Sequence, residues 1–190
     1  MSLDPATGRV FWQERRRTAA QDAVATPVFH DGRLLLSGVM FKLDADKPAA
    51  SILWRDSRAV PRGILSNTST AVVQGDWVFS ARSSGELVCL EAATGKQVWQ
   101  TDKVTDQKGG ASIHLTPHGE AMFLYTDRGE LILAHLTARG YQEVSRALLL
   151  EPVYPFAGRK VTWPPPAYAN RCVFARNERE LVCASLAAGP

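Results

Sequence analysis

Two histidines at i, i+4 spacing are the first candidates for chemistry in this sequence. His114 and His118 would share one face of a helix and could bind zinc there. Pro117 and Gly119 interrupt the segment, and the residues around it follow the pattern of strands and turns rather than the 3.6-residue period of a helix. The sequence therefore predicts two loop histidines and no zinc site.

Two further motifs begin like ligand-binding loops but lack the residues that such loops need. Asp44-Ala45-Asp46 starts like a calcium loop, but the required glycine and the distal glutamate are missing. Thr94-Gly95-Lys96 lacks the upstream glycine and the following serine or threonine of a phosphate loop. No Gly-x-Ser-x-Gly sequence supports a nucleophilic serine. We therefore predict no catalytic, metal-binding or cofactor-binding residue in this chain.

Composition and charge narrow the function classes further. The net charge of +3 is too small to indicate nucleic-acid binding, and the basic run within 14–17 is predicted to be a solvated loop. No stretch approaches the roughly 18 apolar residues of a membrane span. The three cysteines do not form a disulfide framework, although a Cys172–Cys183 bridge is an alternative to free thiols.

A repeated segment is the strongest signal in the chain. Similar runs of residues begin at Gly85, Gly129 and Arg179, and the first two are 44 residues apart. Tryptophans recur with similar spacing, while Val144 falls where the next one would be expected; they are Trp12, Trp54 and Trp99. A period in this range, filled with short alternating strands, is typical of a β-propeller.

Each repeat contains two hairpins and therefore four strands. Asp31-Gly32 marks the first hairpin turn because glycine adopts positive φ without steric cost. The sequence predicts one all-β domain over residues 1–190, an incomplete propeller of about four four-stranded antiparallel blades. The predicted blade units are 26–56, 69–101, 111–148 and 165–187, the last without its fourth strand, and 3–13 supplies a spare outer strand.

Between the third and fourth blades lies the unusual sequence Trp163-Pro164-Pro165-Pro166. Three prolines favour an extended left-handed path and offer no backbone donors. We interpret this segment as a stiff linker, with Trp163 covering an edge of the core. The alternative is a ligand for a proline-binding partner.

The unit from Gly85 to Trp99 reads Gly-x-Leu-x-x-Leu-x-Ala-x-Thr-Gly-x-x-x-Trp, and Leu3 to Trp12 matches its second half. This unit resembles the blade repeat of pyrroloquinoline-quinone-like propellers. The resemblance implies that the outer-strand tryptophan lies flat against the next blade, near the glycine of the repeat. It thus implies structural docking roles for five residues: Trp12, Trp54, Trp99, Gly85 and Gly129.

Propellers of this type usually have seven or eight blades, whereas this chain has material for four. The start of the chain is mid-repeat sequence, which indicates a piece of a longer protein, its C-terminal half. Three arrangements are open: four blades closed by the strand 9–13, a homodimer completing an eight-bladed ring, or an open fragment. We favour the two-chain ring.

The resemblance also raises the question of a quinone cofactor. Quinoprotein dehydrogenases of this fold are associated with adjacent cysteines, a stacking tryptophan and acidic calcium ligands, and the sequence lacks this combination. Quinone and calcium are therefore expected only in a full-length parent. We predict a non-enzymatic scaffold that binds a protein or another ligand with the loops of one propeller face. The alternative is the C-terminal half of a quinone-dependent dehydrogenase, and the resemblance implies a periplasmic or other extracytoplasmic location.

Overall fold

A computed structural model describes residues 1–14, 24–36, 38–56, 65–66, 68–106 and 110–187. This part of the chain is built from short strands, and none of it forms a helix long and apolar enough to cross a bilayer. In chain order the strands are β1 (Ser2–Leu3), β2 (Val10–Trp12), β3 (Val28–His30), β4 (Arg33–Leu36), β5 (Val39–Leu43), β6 (Ala50–Arg55), β7 (Val72–Gln74), β8 (Trp77–Ala81), β9 (Leu87–Glu91), β10 (Gln97–Thr101), β11 (Ile113–His118), β12 (Ala121–Thr126), β13 (Glu130–Thr137), β14 (Gly140–Leu148), β15 (Tyr154–Phe156), β16 (Arg159–Val161), β17 (Ala167–Ala169), β18 (Cys172–Arg176) and β19 (Leu181–Ser185).

The strands form antiparallel sheets in which neighbours in sequence are neighbours in space. Three sheets have four strands each: β3–β6, β7–β10 and β11–β14. A fourth sheet, β17–β19, has three strands. These four sheets are the blades, which confirms the prediction of an all-β, incomplete propeller. The strand β2 pairs with β1 in a separate hairpin and not with β19, so the structure does not show the four-blade closure.

The hydrophobic core is divided among the blade junctions. One cluster joins the second and third blades through residues such as Phe79, Cys89 and Leu124, and another joins the first and second blades around Val78 and Val88. Alternate residues of one strand thus face opposite neighbouring blades. Burial raises the pKa of the Cys89 thiol to about 11, so this cysteine is a packed apolar residue and an unreactive thiol.

Each outer strand carries a one-residue bulge immediately before the tryptophan position. In the second blade Gln97 pairs with Leu90 and Trp99 with Cys89, so that Val98 has no partner. The same irregularity leaves Phe11, Leu53 and Val144 unpaired in the other outer strands. In the third blade Ser145 therefore occupies the tryptophan position, and the assignment of Val144 to it was wrong. A bulge turns the next side chain to the opposite face of the sheet, which spacing alone does not reveal.

Two of the tryptophans lie across a blade junction. The Trp54 side chain is buried and its indole Nε1 donates a hydrogen bond of 2.8 Å to the carbonyl oxygen of Ala92. A Cβ atom added to Gly95 would lie 2.7 Å from the Trp54 ring, so the ring lies directly over this glycine. Trp99 Nε1 donates similarly to the Thr137 carbonyl oxygen, at 2.7 Å.

The other docking candidates have different surroundings. Trp12 is half-buried and packs against Phe41, with ring centroids 5.6 Å apart. Gly85 and Gly129 lie in the turns between the second and third strands of their blades, with φ of 102° and 79°. A Cβ atom on Gly129 would overlap the Leu150 carbonyl oxygen. The glycine beneath a tryptophan is thus the later one of the repeat, Gly95, whereas Gly129 allows the chain entering the fourth blade to approach closely.

The linker between the third and fourth blades contains a hairpin, β15–β16, that the sequence analysis did not predict. Its turn residues Ala157 and Gly158 have φ of 47° and 76°. Phe156 packs edge-on against Trp163, with ring centroids 4.8 Å apart. His114 Nε2 donates a hydrogen bond of 3.0 Å to the Trp163 carbonyl oxygen, which anchors the proline segment to the third blade.

We expect the burial of His114 to make the fold less stable in mild acid. Burial lowers the pKa of His114 from its ordinary value of 6.5, so the unfolded chain takes up this proton before the folded chain does. The stability that the neutral His114 ring contributes is therefore complete above pH 6.5 and is lost as the pH falls through the pKa of the folded state. Urea unfolding at about pH 7.5 and about pH 5.5 measures the effect. We expect the free energy of unfolding to fall less between these pH values in His114→Asn than in the unmodified protein.

His118 is the matched control because it is an exposed histidine on the same strand. We expect His118→Asn to keep the pH dependence of the unmodified protein. An unchanged pH dependence in His114→Asn would contradict this account of the half-buried ring.

Candidate functional site

The linkers between blades and the turns between second and third strands lie at the same end of the blades. Backbone and side-chain hydrogen bonds join them there: Thr162 N–H donates to the Asp127 carbonyl oxygen at 2.9 Å, and Asn177 Nδ2 donates to the Glu151 carbonyl oxygen at 2.9 Å. We call this end of the third and fourth blades the linker face, made of residues 102–106, 127–130, 149–162 and 177–180. Its surface is loop supported by rigid sheets, which is the usual place for binding residues.

Two adjoining cavities of about 430 and 470 Å³ form a groove along the linker face. They share Arg128, Glu151 and Pro152. The first cavity is also lined by charged residues of the third blade and its linker, namely Asp102, Lys103, Asp106, Glu130 and Arg146. The second is lined in addition by Val153, Arg159, Lys160 and Arg179. The groove therefore offers many charged hydrogen-bonding groups, with a mainly polar first cavity and a second cavity of mixed polar and apolar surface.

Arg146 fixes the wall of the first cavity. Its guanidinium donates to the carbonyl oxygens of Lys103 and Val104 at 3.0 and 3.1 Å. It also bonds the carboxylates of Glu130 and Glu143 at 2.9 and 3.0 Å. Hydrogen bonding to Arg146 lowers the pKa of the Glu143 carboxyl, so this partner stays ionised. The side chain thereby holds the linker of the second blade against the outer strand of the third.

A buried ion pair lies beneath the second cavity. Arg159 Nη1 donates to Asp127 Oδ2 at 2.6 Å, and the two side chains are 3% and 0% exposed. Thr105 Oγ1 donates to the other carboxylate oxygen of Asp127 at 3.0 Å. Asp127 thus connects the turn of the third blade with the linkers on both sides. Arg159 Nε and Nη2 are buried and have no hydrogen-bond partner among the described residues.

The junction of the first and second blades has a similar pair with the charges exchanged. There Arg82 comes from the turn and Asp56 from the end of the preceding outer strand, with 3.2 Å between Nη1 and Oδ2. Arg82 Nη2 also donates to Gln97 Oε1 at 3.1 Å. Sequence analysis found neither pair. The available signal was a charged residue directly after a buried strand, at Arg82 and at Asp127.

The structure places the residues singled out from the sequence outside the groove. Trp12, Trp54, Trp99, Gly85 and Gly129 do not line either cavity. His114 and His118 belong to one strand, where four residues span about 13 Å, too far for one zinc ion. Asp44 Oδ1 accepts the backbone N–H groups of Asp46 and Lys47 and closes a turn.

The side chains of the described residues do not fit a quinone with its calcium ion. The indole N–H groups of Trp54 and Trp99 are committed to inter-blade carbonyls, and the described ranges hold no group of three or more histidine, cysteine, aspartate or glutamate residues suited to a metal. The cysteines Cys89, Cys172 and Cys183 are free and none is adjacent to another in sequence. The groove instead presents guanidinium, ammonium and carboxylate groups without a paired nucleophile and base, which suits binding.

Comparison with known proteins gives a consistent fold. The model of the family described as outer membrane protein assembly factor BamB matches residues 1–139. A search of curated protein sequences gave no match. Among solved structures, BamB from Moraxella catarrhalis is similar with a TM-score of 0.59 and 19% identity, over 95% of this chain and 49% of that chain. This chain thus spans about half the length of that BamB.

Two quinohemoprotein alcohol dehydrogenases are similar as well. The one from Pseudomonas putida HK5 has a TM-score of 0.53 and 18% identity, over 79% of this chain and 27% of that chain. The one from Comamonas testosteroni has a TM-score of 0.51 and 17% identity, over 80% and 28%. At these identities the likeness establishes the propeller fold alone.

Proposed function

This chain belongs to the family of the outer membrane protein assembly factor BamB, with its pyrroloquinoline-quinone-like repeats, and from that premise we propose that it is a non-enzymatic scaffold whose linker face binds a protein partner. The observation that carries the proposal is the continuous charged groove across the third and fourth blades. Its lining side chains come from loops, and rigid sheets hold those loops in place. Such a surface suits recognition by complementary charge.

The family description also supports a cellular setting for this scaffold. It names an assembly factor of outer membrane proteins. We accordingly propose an extracytoplasmic location and a partner among the proteins that assemble the outer membrane. Neither the net charge of +3 nor the mixed charges of the groove favour nucleic acid as the partner.

Site-specific photo-crosslinking in cells that make the protein tests the binding face. A benzophenone amino acid is placed at Lys160 or Arg179, two exposed positions of the groove. We expect a discrete protein adduct, identified by mass spectrometry as a component of outer membrane protein assembly. Lys96 and Arg139 are the controls because they are exposed on turns at the opposite end of the blades. The absence of an adduct from the groove, or equal adducts from both ends, would count against the proposal.

The alternative function is a quinone-dependent dehydrogenase represented by this chain. The fold likeness to the two quinohemoprotein dehydrogenases favours it, whereas the side chains do not fit the cofactor. Titrating the protein with the quinone in the presence of calcium separates the two functions. For a scaffold we expect the absorbance band of the quinone to stay unchanged, and a saturable shift would establish cofactor binding.

The homodimer that completes an eight-bladed ring stays a prediction. Among the described residues, β19 pairs only with β18 and β2 pairs only with β1, so each has one edge open to another strand. In the ring, the β2 strand of one copy would become the outer strand of the β17–β19 blade of the other. Light scattering at micromolar concentration should then give twice the chain mass of 20.8 kDa. A monomer under these conditions would exclude the ring.

A further inference from the structure

We propose that the second cavity of the groove, which we call the Arg159 cavity, binds an oxyanion, either a carboxylate of an acidic peptide segment or a phosphate. The cavity of about 470 Å³ is large enough for either group together with its neighbouring atoms. The side chains that line the cavity support an oxyanion site by themselves. Only the binding of a peptide there rests on the proposed scaffold function.

The unpaired donors of Arg159 are the first argument. Nη1 of this guanidinium is bound to Asp127, while Nε and Nη2 are buried and find no partner in the residue ranges that the structure describes. A buried donor without an acceptor costs free energy, which an oxyanion would recover. Nε and Nη2 also form one edge of the planar guanidinium, the edge that binds a carboxylate or phosphate through two parallel hydrogen bonds.

The charge of the cavity also favours an anion. Its lining contains four cations, Arg128, Arg159, Lys160 and Arg179, and one acid, Glu151. Across the described ranges, no acid lies within ion-pair distance of Lys160 or Arg179. Both side chains are exposed, and a bound anion would give them a counterion. The excess of positive charge attracts anions to the opening of the cavity.

The Arg82–Asp56 pair at the junction of the first and second blades differs from the Arg159–Asp127 pair in the number of its acceptors. There the guanidinium of Arg82 has both Asp56 and the Gln97 carbonyl as acceptors. At the Arg159 cavity Asp127 is the acceptor on one side, and the described part of the chain supplies no second side-chain acceptor. Arg159 lines the cavity, its guanidinium is held in place by a buried carboxylate, and its other edge is unsatisfied among the described residues. It is thereby preorganised for an external oxyanion that reaches this edge from the cavity.

Isothermal titration of the full chain tests the inference with two probes. One probe is inorganic phosphate, and the other is an amidated peptide of six glutamates, with six glutamines as its neutral counterpart. We expect saturable binding of at least one anionic probe and no binding of the neutral peptide. Binding of phosphate alone identifies a free anion as the source, binding of the acidic peptide alone or better identifies a protein segment, and binding of neither overturns the inference.

Two variants and a control locate the bound anion. Arg159→Lys keeps the charge beside Asp127 but removes the two-donor edge, and we expect the dissociation constant to rise about tenfold. Because that variant alters a buried group, the double variant Lys160→Ala/Arg179→Ala changes exposed cations of the same cavity and should weaken binding by a similar factor. Lys96→Ala, at the far end of the second blade, should leave binding unchanged. Anion binding that is equal in all variants overturns the assignment to this cavity.

The outcomes also separate this inference from the proposed scaffold. Crosslinks from the groove without anion binding would leave the scaffold in place and remove the oxyanion site. Phosphate binding without crosslinks would support the site and remove the scaffold. Urea unfolding of each variant confirms that it folds before binding is measured.

Discussion

Replacing Trp54 by alanine should lower the free energy of unfolding by about 3–5 kcal/mol, as truncation of a large buried aromatic side chain does. The indole fills the junction of the first and second blades, covers Gly95 and donates to the Ala92 carbonyl oxygen. Its removal leaves a cavity and an unsatisfied carbonyl at once. Urea denaturation followed by fluorescence of the remaining tryptophans measures the loss.

The neighbouring Leu53 provides the control for this substitution. Leu53 is the bulge residue of the same strand and is 39% exposed, so Leu53→Ala should cost less than about 1 kcal/mol. Trp99 is partly buried and should fall between the two. A loss below about 1 kcal/mol for Trp54→Ala would show that the indole does not hold the blades together.

The blades could be predicted from the sequence because their signals are local. A turn glycine, alternating apolar residues and a repeated unit all lie within a few residues of one another. Gly32, Gly75 and Gly119 do adopt positive φ in the first hairpin turns, and Asn170 replaces glycine in the last one with φ of 52°. Asparagine tolerates that conformation better than other residues, which is why a degenerate repeat still makes the same turn.

Other details could not be predicted because the local signal is ambiguous. The bulge before each tryptophan position inserts one unpaired residue. Counting residues along the sequence therefore assigned Val144 to the tryptophan position of the third blade, whereas strand pairing places Ser145 there. The β15–β16 hairpin contains Pro155, and a proline within an apolar run argues against a strand. This hairpin has only two strands, and its proline is accommodated there because a two-stranded hairpin has an open edge on each strand.

The candidate site was missed for a different physical reason. Asp127 and Arg159 are 32 residues apart, and Asp56 and Arg82 are 26 apart, so their pairing depends on how neighbouring blades meet. Charged residues in loops are ordinarily solvated, and although Arg82 and Asp127 directly follow buried strands, nothing in the sequence shows which distant residue each of them pairs with. The glycine beneath Trp54 could not be identified from the sequence for the same reason, since only the junction shows that the ring covers Gly95.

Removal of the buried carboxylate should have an effect as large as the loss of the indole. We expect Asp127→Asn to lower the free energy of unfolding by about 3–5 kcal/mol, because the nearly isosteric amide leaves the Arg159 charge buried without its counterion. Asp106→Asn is the control, since this carboxylate is 59% exposed and lies 3.8 Å from Arg128. Its loss should change stability by less than about 1 kcal/mol.

A double-mutant cycle of Asp127 and Arg159 tests whether the loss of stability comes from the unpaired buried charge. Arg159→Gln alone leaves Asp127 unpaired and should also be strongly destabilising, whereas Asp127→Asn/Arg159→Gln removes both charges and can restore an amide hydrogen bond. We therefore expect the double variant to be more stable than either single variant, as measured by urea unfolding at neutral pH. Additive losses would show that the two side chains act independently and that their ion pair does not account for the lost stability. A double variant that regains stability but no longer binds phosphate would show that the Arg159 guanidinium serves anion binding and is not needed for stability.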